Sequence, residues 1–229
     1  MLIGGLQKLS FIDYPKKMAA LIFTQGCPFL CQYCHNPNLV LPNKFTQPLQ
    51  EDEVLNFLKK RKNQLEAVVI TGGEPTIQKD LIEFIYKIKN LNFLVKLDTN
   101  GTNPEILKEL IEKNLIDYIA MDIKAPLEKY KLIIQKEIDT SLISQSIEII
   151  INSKVAHEFR TTLVKGLHEY EDIEKMSKLI SNAELYILQK FIPKVSLNPN
   201  LSNYLTFSDE ELDEMTIVCK KHVKDCFFR

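Results

Sequence analysis

The chain has 229 residues, 45% of them hydrophobic, and 29 lysines and arginines against 30 aspartates and glutamates, a net charge of −1. That balance leaves no basic footprint for nucleic acid, and no apolar run approaches the ~20 residues that a membrane-spanning helix needs. Leu2–Leu9 is too short for the apolar region of a signal peptide, and five cysteines, three of them clustered, fit a reducing cytosol better than a disulfide framework, so the chain reads as soluble and cytoplasmic. Met1–Pro15 reads as an extended lead-in with a turn at Asp13-Tyr14-Pro15. Ala19–Thr24, apolar and ending in polar residues, suits a buried parallel strand. A cysteine-bearing loop follows, then a connection punctuated by Pro37, Pro42 and Pro48. A helix is expected over Leu49–Lys62, acidic at its start and basic at its end as the helix dipole favours.

Strands are then predicted at Ala67–Thr71, Phe93–Leu97, Tyr118–Met121, Val155–Val164 and Glu184–Ile192. The intervening helices are expected at Lys79–Lys89, from an N-cap at Asn103 with Pro104 in the first turn, at Leu142–Ile151 and at Ile173–Ile180. Six β/α repeats in one register imply a parallel sheet with right-handed crossovers. They give an α/β fold, an open partial (β/α)6 TIM-like barrel with short N- and C-terminal additions, read as one domain over residues 1–229. The tail adds a helix from Ser208, where Ser208 and Glu211 form a capping box, and a last strand within Val223–Phe228 is expected to cover the lead-in.

The chemistry centres on Gly26-Cys27-Pro28-Phe29-Leu30-Cys31-Gln32-Tyr33-Cys34-His35-Asn36. Three thiolates on one short loop can converge on a soft metal centre. Structural zinc wants four closed ligands and a cubane iron–sulfur cluster usually takes four cysteines, yet the next cysteine is Cys219. The economical reading is a four-iron cluster on Cys27, Cys31 and Cys34, with one iron left to a non-protein ligand. The plainer alternatives are three unrelated cysteines, or a zinc clip that borrows His35. His157, His168 and His222 show no metal-ligand spacing and read as surface or core histidines, and Cys219 shares an apolar helical stripe with Met215 and Val218.

Cys27, Glu74, Asp98 and Asp122 each fall just past the end of a different predicted strand, the rim where parallel α/β folds bind ligands. In Gly72-Gly73-Glu74-Pro75 the glycines allow positive φ and close approach of backbone to a ligand, while Glu74 offers a carboxylate to a cation. Alone, that stretch and Asp98-Thr99-Asn100-Gly101 would be ordinary turns, and Asp122-Ile123-Lys124 a buried ion pair.

Together with Cys-x3-Cys-x2-Cys these motifs resemble the radical S-adenosylmethionine (SAM) enzymes, and most closely the glycyl-radical-enzyme activating branch. Met121-Asp122-Ile123-Lys124-Ala125-Pro126 is similar to a signature of that branch, and Phe11-Ile12-Asp13-Tyr14-Pro15, Phe23-Thr24-Gln25-Gly26-Cys27, Cys34-His35-Asn36-Pro37 and Leu188-Gln189-Lys190-Phe191 are similar to segments of the activators of anaerobic ribonucleoside-triphosphate reductase. The resemblance implies one [4Fe–4S] cluster, SAM, and cleavage of SAM to a 5′-deoxyadenosyl radical that takes hydrogen from a glycine of a partner enzyme. It gives Glu74 to the SAM ammonium, Asp98, Thr99 and Asp122 to the methionine carboxylate side with a monovalent cation between, and Lys124 to the ribose or carboxylate side, with Gly72, Gly73, Asn100 and Ile123 also among the cofactor-binding residues. Arg160 and Gln189 would approach from the next two strands, and Tyr33 and His35 would frame the adenine. The implied partners are a glycyl-radical enzyme, with anaerobic ribonucleotide reductase foremost, and an electron donor such as flavodoxin or ferredoxin. Pro37–Pro48 and Val195–Tyr204 are candidate lips of the gap through which a partner's glycine loop would enter. The rivals are activation of a formate-lyase-like enzyme, 7-carboxy-7-deazaguanine synthase-like chemistry on a small molecule, and, more remotely, a non-enzymatic iron–sulfur carrier.

Overall fold

The structure, a computed structural model, describes residues 1–193 and 196–229. Eight strands form one sheet in simple sequence order: β1 (Ile3–Ser10), β2 (Ala19–Thr24), β3 (Ala67–Gly72), β4 (Leu94–Thr99), β5 (Tyr118–Asp122), β6 (Ala156–Leu163), β7 (Tyr186–Lys190) and β8 (Cys226–Phe228). From β2 onward every pairing is parallel, and β1 alone runs antiparallel, against β2. The helices are α1 (Pro37–Val40), α2 (Glu51–Arg61), α3 (Leu81–Lys89), α4 (Pro104–Glu112), α5 (Tyr130–Ile134), α6 (Ser141–Asn152), α7 (Tyr170–Leu179) and α8 (Asp209–Cys219). This is the expected partial-barrel α/β architecture, with helical crossovers between successive parallel strands.

Period-2 alternation decides what each strand face meets. Ala20 and Ile22 of β2, Val68 and Ile70 of β3, Val95 and Leu97 of β4, and Ile119 of β5 are fully buried toward the helices. There they meet stripes such as Leu81, Phe84, Ile85 and Ile88 of α3, which lie on one helical face at the spacing the sequence displays. The opposite, concave face changes character along the sheet. Leu21, Val69 and Tyr14 make a small apolar cluster at β2 and β3, whereas β4 carries Lys96 and Asp98, and β6 carries Glu158, Arg160 and Thr162 at alternate positions. Lys96 is only 2% exposed, so its charge is committed inside the barrel.

Two terminal expectations change. The lead-in is a full strand, β1, because β2 offers it a free edge on the side away from β3. The last strand, β8, does not cover that lead-in. It pairs with β7 at the opposite edge, where Tyr186 N donates to Asp225 O at 2.9 Å and Arg229 N to Leu188 O at 3.0 Å. With α8 between them, β7 and β8 form one more parallel crossover unit.

The sequence also leaves α5 unassigned. It ends at Gln135, whose φ of 53° is the left-handed conformation of a helix stop. Asn103 precedes α4 as expected, yet makes no side-chain cap. Its amide instead donates to Thr76 O at 3.0 Å, tying the turns after β3 and β4 together. The Ser208 capping box at α8 forms as read, with both reciprocal bonds present. No helix is long and apolar enough to cross a membrane.

Candidate functional site

The cysteine loop leaves the C-terminal end of β2 and is pinned on three sides. Leu30 N and Gln32 N donate to Ile134 O and Ile133 O of α5 at 2.9 and 3.3 Å. Gly26 N donates to Leu39 O in α1 at 2.8 Å, so the stretch Pro37–Pro48 folds into α1 and a 3-10 turn that roofs the loop's start. On the far side Asn198 N donates to Gln32 O at 2.9 Å, which brings the 3-10 turn Pro199–Asn203 against the same loop. The two candidate lips thus flank the cysteines, although Val195 lies outside the described residues.

The glycines after β3 serve this packing. Gly72 has a φ of +116°, and a Cβ there would stand 2.4 Å from Thr24 N. A Cβ on Gly73 would stand 2.0 Å from Gly26 O. The close approach these glycines permit is that of one rim loop to another, with Glu74 N completing it by donating to Gly26 O at 2.8 Å.

A cavity of about 210 Å³ opens on this rim. Cys27, Cys31 and Cys34 line it with Tyr33 and His35, and Gly72, Gly73, Thr99 and Asn100 close one side. Asp98, Asp122, Lys124 and Arg160 form its charged floor. Burial pushes the Cys27 thiol up to about 12 and Cys31 up to about 11, and raises Cys34 as well, so without a metal all three are neutral thiols at pH 7. Among the described residues no set of three or more His, Cys, Asp or Glu groups converges on the point a single ion would occupy. Tyr33 is buried, and its hydroxyl has no hydrogen-bond partner among the described residues.

The floor is an alternating charge cluster. Arg160 Nε donates to Asp122 Oδ1 at 3.0 Å and its Nη1 to Asp98 Oδ2 at 3.4 Å. Lys124 Nζ holds the other Asp122 oxygen at 2.9 Å, the ion pair that the plainer sequence reading allowed. Lys96 Nζ stands 3.0 Å from Asp98 Oδ1 and 3.7 Å from Glu158 Oε1. Burial works to raise both aspartates. Arg160 with Lys96 outweighs it at Asp98, which stays below its usual range, and Arg160 with Lys124 brings Asp122 to about 2. Burial would lower Lys124, but Asp122 and its neighbours raise it above its ordinary value. The guanidinium of Arg160 therefore stands between the two aspartates, where the resemblance placed a monovalent cation.

Three expected residues do not line the cavity. Glu74 is 1% exposed, with its carboxylate turned into the protein. Oε1 accepts from Thr76 N at 3.1 Å, Thr76 Oγ1 at 2.6 Å and Thr99 Oγ1 at 2.8 Å, while Oε2 accepts from Asn100 N at 2.7 Å. Burial raises its pKa against the pull of those donors. Ile123 is core: its side chain is fully buried, its N–H donates to Arg160 O and its carbonyl accepts from Thr161. The Gln189 amide oxygen accepts from Thr162 Oγ1 at 3.5 Å, and it is Thr162 that reaches the cavity.

Phe29, Asn36, Val40 and Thr71 also line the cavity without having been singled out. Thr162 was legible, since it lies two residues beyond Arg160 on the same strand face. His168 is a satisfied core histidine, accepting from Val164 N at Nδ1 and donating from Nε2 to Lys124 O. His35 stacks on Phe191 with ring centroids 5.7 Å apart.

The Glu74 geometry gives a direct prediction. In Glu74→Gln either orientation of the new amide turns its NH2 toward a backbone donor, Thr76 N on one side or Asn100 N on the other. Urea unfolding is expected to show a loss of about 1–3 kcal/mol, the cost of a buried donor left unpaired. An unchanged midpoint would rule out the inward carboxylate.

The family model of the radical SAM superfamily matches residues 21–180. A Methanocaldococcus jannaschii protein provisionally named a glycyl-radical enzyme activating enzyme is 39% identical over 236 residues, covering 100% of this chain and 95% of the relative. The pyruvate formate-lyase-activating enzyme of Staphylococcus epidermidis is 33% identical over 89 residues, 37% of this chain and 35% of its own. Among solved structures, Streptococcus suis SuiB bound to the precursor peptide SuiA matches with a TM-score of 0.68 over 91% of this chain and 48% of SuiB. At 14% identity that likeness is one of fold alone.

Proposed function

Because this chain belongs to the radical SAM superfamily, we propose that it is an activating enzyme that places a glycyl radical on a partner protein, an anaerobic ribonucleotide reductase. The observation that carries the reading is the shared cavity, lined at once by the three thiols of the Cys-x3-Cys-x2-Cys loop and by the charged ends of β4, β5 and β6. The residues present fit the family's cofactors. Three soft thiols, one buried and two half-buried, can give up their protons to a metal centre, the Tyr33 hydroxyl at the cavity wall has no partner among the described residues, and the polar floor suits a zwitterionic amino-acid group.

Cys27, Cys31 and Cys34 would hold a [4Fe–4S] cluster, which with SAM would supply reductive cleavage chemistry and the hydrogen abstraction from glycine that follows from it. Lys124 and Arg160 provide the positive charge a carboxylate needs, and Arg160 also provides the charge between Asp98 and Asp122 that would otherwise fall to a monovalent cation. Glu74 braces the turns after β3 and β4, so that Thr99 and Asn100 are held at the cavity wall. Tyr33 and His35 offer aromatic surface beside the cysteines. α1 and the Pro199–Asn203 turn, both packed against the cysteine loop, are the lips between which an extended peptide segment would enter. A flavodoxin or ferredoxin is the matching electron donor.

The test is anaerobic. Incubated with SAM, a reductant and an anaerobic ribonucleotide reductase, the protein is expected to produce a glycyl radical seen by electron paramagnetic resonance (EPR). Deuterium on that glycine's α-carbon should appear in 5′-deoxyadenosine. Radical formation on a formate-lyase-like enzyme alone would reassign the partner. SAM cleavage that labels no protein but converts a small heterocycle would overturn the activating role.

A further inference from the structure

Asn100 makes a contact that neither the turn after β4 nor the charged floor requires. Its side-chain Nδ2 lies 3.7 Å from Cys27 Sγ, within hydrogen-bonding range of a sulfur acceptor. The amide cannot face the other way. Its Oδ1 accepts from Thr102 N at 3.0 Å and from Thr102 Oγ1 at 2.8 Å. A backbone N–H can only donate, so the oxygen must be the atom turned toward Thr102 and the NH2 the atom turned toward sulfur. The backbone is fixed as well, since Asn100 N donates to Glu74 Oε2 at 2.7 Å. Asn100 is 5% exposed, so water competes poorly for the contact.

We propose that Asn100 sets the electronic environment of the Cys27 sulfur, donating a hydrogen bond that raises the reduction potential of the iron–sulfur centre held there. The inference rests on the cluster assignment made above. A donor to a ligating sulfur stabilises the more negative, reduced state more than the oxidised one, and it does so more strongly in a site of low dielectric. Backbone N–H groups of Phe29 and Asn36 also face Cys27 and Cys34, but among the described residues Asn100 is the side chain that donates to a cysteine sulfur. Asn100 is thus a positioning residue whose effect is read on the metal centre, separately from any role toward SAM.

The test uses the anaerobically loaded protein and a redox titration followed by EPR. Asn100→Ala is expected to shift the cluster potential to more negative values. Asn100→Asp keeps the acceptor facing Thr102 but presents an acceptor to the sulfur, and is expected to shift it further in the same direction. With asparagine side chains labelled with 15N, pulsed EPR of the reduced wild-type protein should show a nitrogen coupling that Asn100→Asp abolishes. Potentials unchanged in both variants, or a wild-type spectrum without that coupling, would overturn the proposal even if Asn100→Ala failed to load. A wild-type protein that binds no cluster overturns the cluster assignment and this inference together. A loaded wild type with unmoved variants removes only the inference.

Discussion

Single replacement of Cys27, Cys31 or Cys34 by serine is expected to abolish iron–sulfur loading outright, from about four irons per chain to none. A neutral hydroxyl is a poor ligand for a soft metal, and with three cysteines at the cavity the loss of one removes a third of the protein's donors. Iron and sulfide content, with the charge-transfer absorbance, is the measurement, and a retained unfolding midpoint shows that the barrel survives. The contrast is Cys219 and Cys226. Both are fully enclosed in α8 and β8, and hydrogen bonding with Cys219 together with burial holds the Cys226 thiol above its ordinary range. Serine at either position is expected to cost stability, since it buries a hydroxyl in an apolar site, while leaving iron content unchanged. Iron lost equally on replacing Cys219 or Cys226 would sink the three-cysteine assignment.

Much of this site could be read before the structure because strand ends are legible. Cys27, Asp98 and Asp122 each follow an apolar run, and each reaches the same cavity. What escaped was the direction of individual side chains. Glu74 has the position of a ligand-binding residue, yet four donors from Thr76, Thr99 and Asn100 turn it inward. None of those bonds leaves a mark in sequence spacing. Gln189 lost its expected place to Thr162, which shares the alternation of Arg160. The charge on the concave face of β4 and β6 escapes local pattern for a related reason. Lys96-x-Asp98 and Glu158-x-Arg160 look like solvated alternation, but their charges pair within β4, across from β4 to β6 and from β6 to β5 inside the barrel. The placement of β8 depends on which sheet edge is free, a property of the assembled sheet that no local pattern carries.

That largely enclosed charge cluster at the cavity floor gives the other large effect. Arg160→Leu removes the one group among the described residues that meets both Asp98 and Asp122. Breaking a buried ion pair from one side typically costs about 3–5 kcal/mol, because a charge is left buried and short of its partner. Lys96 still faces Asp98 and Lys124 still faces Asp122, so the loss is expected near the lower end, about 3 kcal/mol in urea at pH 7. The pH dependence carries the sign. Asp98 lies below its usual range in the folded protein and Asp122 at about 2. The stability these carboxylates contribute is present above the unfolded aspartate pKa of about 4 and is lost as pH falls through the folded values. Without the guanidinium both folded pKa values move up, so the variant has less to lose in acid. The gap between wild type and Arg160→Leu should therefore narrow from pH 7 to pH 3. Arg160→Lys should recover only part of it, since one ammonium cannot reproduce the Nε and Nη1 contacts together. A deficit that is the same at both pH values would place the cost in lost packing and not in charge.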